Sequence, residues 1–276
     1  MHTIKRRLPV ILLMGLLFGA GLAVGYVNPY RGTISLSELV LQLSGSRGDF
    51  ELGFGIAELL GLAMRLIPSF VFELYVGTAL YRYFCTASVY IFSRTPDRLR
   101  WYGGEIAAIA ALTVAYELAL MAGTVLVTAL RCQLAWDGPG PALCAYHIAL
   151  YALWTCALTV LVNLLAIPLG SSAAFVLLAG AQLVLTALLS PLRAFQNDAD
   201  RIARLIGWNP ISHLVLGWHS SQIGALDQAI HSPYGGLSLC GSLLLVAVFC
   251  AAAVLLGAFL VKRHDLLISN SETGAF

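Results

Sequence analysis

Three ionisable side chains within strongly apolar stretches are the first residues of this sequence whose chemistry needs an explanation. Arg65 and Glu73 stand eight residues apart in one stretch, and Glu117 lies near the middle of the next. A charge in hydrocarbon is costly, so such residues usually pair with one another or line a polar pathway. At helical spacing Arg65 and Glu73 lie near one face but two turns apart, whereas Glu117 could pair with Arg65 from a neighbouring helix. Either these residues fix helix packing or they line a substrate cavity.

The apolar composition of the chain explains why those charges are unusual. Of 276 residues, 59% are apolar and only 11% are charged, and the mean hydropathy is +0.84. Soluble domains carry about 25% charged residues, so this chain has too little charge to cover a soluble surface. The composition predicts a protein that lies mostly in a lipid bilayer. No run of like charges indicates a nucleic-acid-binding arm, and nucleic acid is therefore not expected as a partner.

Six apolar stretches predict an all-α integral membrane protein with six transmembrane helices. Each stretch is close to the roughly 20 residues that a helix needs to cross a bilayer. The first is not expected to be a signal peptide, because its apolar part is too long and no small-residue cleavage site follows it. Residues 1–276 are thus expected to form a single transmembrane domain, with spans at residues 8–28, 56–80, 106–130, 146–168, 171–191 and 236–261.

The distribution of Lys and Arg predicts the orientation of these spans. Basic residues close to span ends are retained on the cytoplasmic side. With both termini inside, both lysines, Lys5 and Lys262, are cytoplasmic, and so are the arginines at positions 94, 98 and 100. The arginines of the outer connections are spread over longer segments and are accompanied by acidic residues. The sequence therefore predicts cytoplasmic termini.

This orientation places a turn-rich segment outside, "RCQLAWDGPGPALC", which Cys132 and Cys144 bracket. A disulfide can form between the two thiols in an oxidising compartment. The alternative is two unrelated thiols. Neither reading implies a metal site, because no second Cys or His pair stands at the spacing of zinc ligands.

A polar segment, "FSRTPDRLRWYGGE", separates the second and third predicted spans. Thr95 and Pro96 are suited to begin a short helix, and Gly103 and Gly104 to end it. From the residues alone, a membrane-surface helix with an aromatic anchor is favoured. The segment of interest comprises Arg94, Thr95, Pro96, Asp97, Arg98, Leu99, Arg100, Trp101 and Tyr102.

A second unusual segment lies between the fifth and sixth predicted spans, over residues 190–236. It is too long for a simple turn and too apolar for a solvated loop. Its "NPISHLVLGWH" part is expected to lie in the outer interface or to dip back into the bilayer, where protein must satisfy broken backbone hydrogen bonds. His213 and His219 are six residues apart and would not share a helical face, so a structural role is favoured over catalysis. The residues singled out are Asn209, Pro210, His213, Trp218 and His219.

Taken together, these features resemble the ABC-2 type permeases, the membrane subunits of ABC transporters with the type V exporter architecture. The resemblance covers essentially the whole chain and rests on six spans with both ends inside, the polar segment after span two and the re-entrant-like segment before span six. It implies that residues 94–102 form a cytoplasmic coupling helix that docks on a separate ABC ATPase, and that the outer segment caps the translocation path. It further implies a second permease subunit, identical or similar, in a bacterial plasma membrane.

The motifs that are missing agree with a subunit that takes its energy from a partner. The sequence has no G-x-x-x-x-G-K-[ST] phosphate loop, so no cofactor is expected in this chain, and ATP and Mg would be bound by the partner ATPase. It also lacks the H-E-x-x-H and G-x-S-x-G motifs of zinc proteases and serine hydrolases. By resemblance the cargo would be hydrophobic or amphipathic, such as an antimicrobial peptide or a drug. The alternatives are a secondary transporter with Glu117 as its proton site and a membrane protein that binds or confers immunity without transporting.

Overall fold

The computed structural model of this protein is built mostly from long helices. It describes residues 2–28, 30, 32–45, 56–78, 81, 97–190, 192, 198–230 and 237–263. The α-helices are α1 (His2–Tyr26), α2 (Leu36–Ser44), α3 (Ile56–Val76), α4 (Arg98–Arg131), α5 (Gly140–Leu169), α6 (Ser171–Ala187), α7 (Ala199–Trp208), α8 (Gly224–Ile230) and α9 (Leu239–Arg263). Two 3-10 helices, Pro210–Leu214 and Leu216–Trp218, follow α7. Short parallel strand pairs join β1 (Thr33–Ser35) to β2 (Gln133–Ala135) and β3 (His219–Ser220) to β4 (Leu237–Ser238).

In the part of the chain that the structure describes, five helices are long and apolar enough to cross a membrane. They are α1 over Arg7–Tyr26, α3, α4, α5 and α9 over Leu239–Lys262. Helix α6 is apolar but has 17 residues, which at 1.5 Å each reach only about 26 Å against a hydrocarbon layer of about 30 Å. These helices agree with the prediction of a helical membrane protein.

The closest helix packing joins α1 to α4 through glycines. A Cβ atom on Gly19 would overlap the Leu120 carbonyl, and one on Gly15 would lie 2.7 Å from the Tyr116 carbonyl oxygen. Small residues four positions apart let two membrane helices approach at backbone distance. The Thr124 hydroxyl then donates a hydrogen bond to the Gly19 carbonyl at 3.0 Å. The contact is tight because α1 presents backbone rather than side chains.

Contacts at the two ends of the bundle show how the long helices run. Arg131 at the end of α4 donates to the Ala23 carbonyl near the end of α1. At the opposite end of the bundle, Tyr102 near the start of α4 donates to the Val254 carbonyl in the second half of α9. The start of α1, the start of α4 and the end of α9 thus lie together, at what we call the first end. The strand pairs and the segment after α7 lie at the second end.

Helix α5 occupies the centre of the bundle. It packs against α2, α3, α4, α6 and α9, and buried residues recur from one end of it to the other, as at Leu143, Leu150, Val160 and Asn163. A helix that is apolar on every side is typical of a position surrounded by other helices. Polar side chains on α5 therefore face protein neighbours, and they take part in the sites described next.

Candidate functional site

A small cavity with several polar side chains in its wall lies where α3, α4 and α5 meet near α2 and α1. Arg65, Glu117, His147 and Tyr151 line it together with Ser69, and the rest of the wall is formed by Leu22, Leu43, Pro68 and Leu120. Its volume available to the centre of a water molecule is about 10 Å³, close to the least that holds one water. Arg65, Glu117 and His147 are all buried, with 8%, 2% and 3% of their surface exposed. The structure therefore brings Arg65 and Glu117 to one cavity and adds His147.

Arg65 is anchored at the second end of the bundle. Its Nη2 donates to the Gln42 carbonyl at 3.1 Å, and its Cζ lies 4.5 Å from the centroid of the Tyr26 ring. A guanidinium over an aromatic face is attracted by the ring quadrupole. These contacts hold the arginine toward α1 and α2. The sequence suggested that Glu117 could pair with Arg65 from a neighbouring helix. In the structure the two residues line the same cavity.

Glu73, the third ionisable residue, lies in a different environment. Gln182 on α6 donates from Nε2 to both Glu73 carboxylate oxygens, at 3.4 and 3.3 Å, and the Trp154 indole donates to Gln182 Oε1 at 3.1 Å. An indole can only donate, so it fixes which way the Gln182 amide points. The three side chains link α3, α5 and α6. Gln182 thus forms hydrogen bonds that join these helices.

The polar segment at the start of α4 differs from the sequence prediction. Asp97 caps the helix, because its carboxylate accepts from the Arg100 backbone N–H at 3.0 Å. Gly103 and Gly104 do not end a short helix, and α4 continues without a break to Arg131. Each glycine costs a helix only about 1 kcal/mol, which the following apolar span outweighs. The prediction of a separate short helix ending at these glycines is wrong.

The exposed and buried faces of this first turn are distinct. Asp97, Leu99 and Arg100 are exposed, and Arg98 is half-buried. Tyr102 is buried with only 2% of its surface exposed, and its ring fills the space that a side chain at Gly257 of α9 would occupy. One face of this turn therefore exposes arginine side chains to water, and the other face is bound to α9. Arg94, Thr95 and Pro96 lie outside the described residues.

Residues 209–219, which we call the outer segment, are folded into the bundle. From Ile211 to His219 every residue is buried. Asn209 begins the segment, since its Nδ2 donates to the Leu185 carbonyl at 2.6 Å and its Oδ1 accepts from the Ile211 N–H at 2.9 Å. Pro210 occupies the start of the 3-10 helix. A backbone N–H at this position has no acceptor within the helix, so proline, which has no N–H, loses no hydrogen bond there. The segment packs against α5, α6, α7 and α9.

The two histidines of the outer segment meet at one serine. Ser242 Oγ lies 2.7 Å from His213 Nδ1 and 2.8 Å from His219 Nε2. The other ring nitrogens face carbonyls, His213 Nε2 that of Gly207 at 3.3 Å and His219 Nδ1 that of Val215 at 2.9 Å. Four hydrogen bonds need four protons, but two neutral histidines and one serine supply three. One added proton, on the His213 Nε2 that faces the Gly207 carbonyl, would complete the set of four hydrogen bonds.

Burial opposes further protonation of this cluster. It lowers the pKa of His219 from 6.5 to about 4, and a charge on His213 would lower that pKa further. Burial also lowers the pKa of His213, partly offset by the Gly207 carbonyl. The charged residues of the neighbouring α7, Asp200, Arg201 and Arg204, are exposed. The histidines are thus hydrogen-bonded groups that hold the outer segment to α9.

The possible disulfide is not formed. Cys132 and Cys144 are both free thiols, although both belong to one apolar cluster near β1 and β2. Cys132 Sγ lies 3.8 Å from the Asn28 carbonyl oxygen. Strand pairing between β1 and β2 holds this corner of the fold without a covalent bond.

Sequence reasoning missed three parts of these sites. The Gly15 and Gly19 pair on α1 is a small-residue motif that the sequence does display. His147 carries no local signal, because the charged residues that line its cavity come from α3 and α4. Ser242 is likewise 23 residues from His219 and 29 from His213, and only folding brings the three together.

Comparison of this chain with models of known families, with curated proteins and with solved structures finds no match. The function is therefore argued from the geometry of the sites.

Proposed function

We propose that this chain is the membrane-spanning permease subunit of an ATP-binding cassette transporter, energised by a separate cytoplasmic ATPase. The observation that carries the proposal is the first turn of α4. This turn presents charged residues to water on one side and is fastened to α9 on the other through Tyr102 and Val254. It has the two properties that a coupling element needs, an accessible docking face and a rigid connection to the membrane helices.

The length of α4 supports an exposed docking face. Its 34 residues reach about 51 Å, whereas the hydrocarbon layer is about 30 Å thick. About 20 Å of the helix must therefore project beyond the hydrocarbon. In the proposed orientation the first end is cytoplasmic, and Arg98 and Arg100 face the partner ATPase.

The packing of α4 supports transmission of movement. Helix α4 contacts α1 at backbone distance through Gly15 and Gly19, and it contacts α9 through Tyr102. Closely packed helices move as units rather than deforming continuously. A displacement of the first turn would therefore move α1, α4 and α9 together.

Helix α9 connects this displacement to the second end. Its residue Ser242 binds both histidines of the outer segment, while its Val254 binds Tyr102. ATP-driven movement at the first end would thus pull or release the outer segment, which caps the path in this proposal. Six spans enclose little interior space, so a second permease subunit, identical or similar, would complete the path for a hydrophobic or amphipathic cargo in a bacterial plasma membrane.

The test is co-purification of a tagged chain from its native membrane, with mass spectrometry of the accompanying proteins. The variant Arg98→Glu with Arg100→Glu reverses the charge of the docking face. The matched control is Arg201→Glu with Arg204→Glu, which makes the same change on exposed residues of α7 at the second end. We expect an ATPase subunit to accompany the native chain and the control, and to be lost from the first variant.

Two results would overturn the proposal. If gentle extraction of the native chain recovers no ATPase, the energy comes from elsewhere. Equal recovery with both double variants would show that an ATPase partner docks on another surface than the first turn of α4.

A further inference from the structure

The cavity lined by Arg65, Glu117 and His147 contains groups without hydrogen-bond partners. His147 Nδ1 is buried and has no partner. Glu117 is 2% exposed, and no hydrogen bond joins its carboxyl group to another of the described residues. Buried polar atoms in folded proteins are nearly always bonded, and leaving one unsatisfied costs about 1–3 kcal/mol. A buried ring nitrogen without a partner and a buried carboxyl group in the wall of one cavity indicate that something polar fills it.

The size and charge of the cavity determine what that occupant can be. Its volume of about 10 Å³ admits roughly one water molecule and nothing larger. The guanidinium of Arg65 in the same wall repels a metal cation. A water molecule can bond to both groups, because it can donate to the Glu117 carboxylate and either donate to or accept from His147 Nδ1.

We propose that this cavity is an intramembrane proton-binding site, in which one water molecule bridges Glu117 and His147. A proton arriving from the second end is accepted by the bridging water, which passes a proton to the Glu117 carboxylate or to the ring of His147. Only O–H and N–H bonds form and break, and the charge of the site rises by one.

The surroundings leave few other groups that could titrate with the site. Helix α1 contributes Tyr26, which lies against Arg65, and α4 contributes Tyr116, whose hydroxyl donates to the Pro68 carbonyl. Helix α5 contributes Tyr151, stacked on His147 with ring centroids 4.4 Å apart. Helix α2 contributes only Leu43 to the cavity wall. Arg65 is thus the fixed charge of the cavity.

The position of the site along the helices determines from which end of the bundle protons reach it. His147 lies seven residues into α5, about 10 Å from its start, and Glu117 lies 14 residues before the end of α4, about 21 Å. Both helix ends belong to the second end of the bundle. Protons therefore exchange from the second end, past Arg65 and α2. This inference needs no ATPase and is independent of the proposed function.

The test is infrared difference spectroscopy of the full chain in lipid nanodiscs during a pH titration. The C=O stretching band of a protonated carboxyl group should appear on acidification in the wild type and disappear from the Glu117→Gln variant. Carbon-13 labelling of glutamate should shift the band and so exclude aspartate. The matched control is Glu73→Gln, which changes the buried carboxyl group bound to Gln182 and should leave the band unchanged. His147→Gln should move the midpoint by about one pH unit, the size expected for an altered hydrogen bond.

The results that contradict the proposal are equally definite. A labelled band that persists in Glu117→Gln, or one that is lost in Glu73→Gln, assigns the proton to another glutamate. A wild-type spectrum without a titrating glutamate band overturns the proposal outright, and this measurement does not depend on any variant folding. If the midpoint is unchanged in His147→Gln, no bridging water links His147 to Glu117 and that part of the proposal is wrong.

Discussion

The glycine contact between α1 and α4 allows a sharp test of what holds the bundle together. In the variant Gly19→Ala, the new methyl group would overlap the Leu120 carbonyl oxygen and lie 2.9 Å from the Thr124 backbone nitrogen. Ordinary contacts of a Cβ atom begin at 3.4 Å, so relieving the nitrogen contact alone needs about 0.5 Å, and relieving the overlap with the carbonyl oxygen needs more than about 1 Å. A gap of about 0.5–1 Å already forfeits a quarter to a half of a dispersion contact.

The cost follows from two losses along this interface. Overpacking a close contact costs about 1–3 kcal/mol, and the hydrogen bond from the Thr124 hydroxyl to the Gly19 carbonyl is worth about 0.6 kcal/mol in a membrane interior. We therefore expect Gly19→Ala to lower the free energy of unfolding by about 2–4 kcal/mol. The assay is reversible unfolding in bicelles, followed by the fluorescence of the five tryptophans.

The matched control lies two residues further along α1. Gly21 is exposed, and a Cβ atom there would meet nothing within 4 Å. Gly21→Ala should leave the stability unchanged or raise it by up to about 1 kcal/mol, because alanine favours the helix. If Gly19→Ala and Gly21→Ala prove equally stable, then α1 does not pack on α4 at backbone distance and the reasoning is refuted.

Three further predictions concern the buried polar groups. Acidification should weaken the attachment of the outer segment: because burial lowers the pKa of His219 from 6.5 to about 4, the unfolded form takes up the proton first. The stability present above pH 6.5 is lost as the pH falls toward about 4, by roughly 3 kcal/mol, and hydrogen exchange of the outer segment measures it. Ser242→Ala leaves two buried ring nitrogens without a partner and should raise exchange in the same segment at neutral pH, at a cost of about 2–4 kcal/mol. Gln182→Leu removes the donor to the Glu73 carboxylate and should lower the free energy of unfolding in bicelles by about 2–4 kcal/mol.

Each of these predictions has a comparison that isolates its cause. His219→Gln should flatten the pH dependence of exchange, and a slope unchanged by this substitution would mean that another group titrates. Ser172→Ala removes an exposed hydroxyl from α6 and should leave exchange of the outer segment unaffected. Glu73→Gln retains a carbonyl acceptor for Gln182 and should cost less than Gln182→Leu. The opposite order would refute the hydrogen-bond argument.

The membrane helices could be predicted from the sequence, because the length and hydropathy of a segment are local properties. The stretches predicted at residues 56–80 and 171–191 begin at the first residues of α3 and α6. The stretch predicted at 106–130 lies within α4, which starts eight residues earlier at Arg98. The glycines at 103 and 104 misled the prediction, because a glycine pair ends a helix only where no favourable span follows.

The candidate sites depended on distances that the sequence does not contain. The sequence identified Arg65, Glu73 and Glu117 as unusual but gave no reason to separate Glu73 from the other two, or to place His147 beside Glu117. Similarly, His213 and His219 do not share a helical face, and a serine from α9 joins them only because the outer segment folds back into the bundle.

The sequence alone indicated that this protein lies in lipid, because the preference of each residue for lipid or water is intrinsic. It also indicated roughly where the helices lie, because a membrane span is a contiguous run of apolar residues. Only the tertiary structure decided which polar groups meet. Buried hydrogen bonds form between side chains on different helices, and their partners are set by the relative positions of those helices rather than by spacing along the chain.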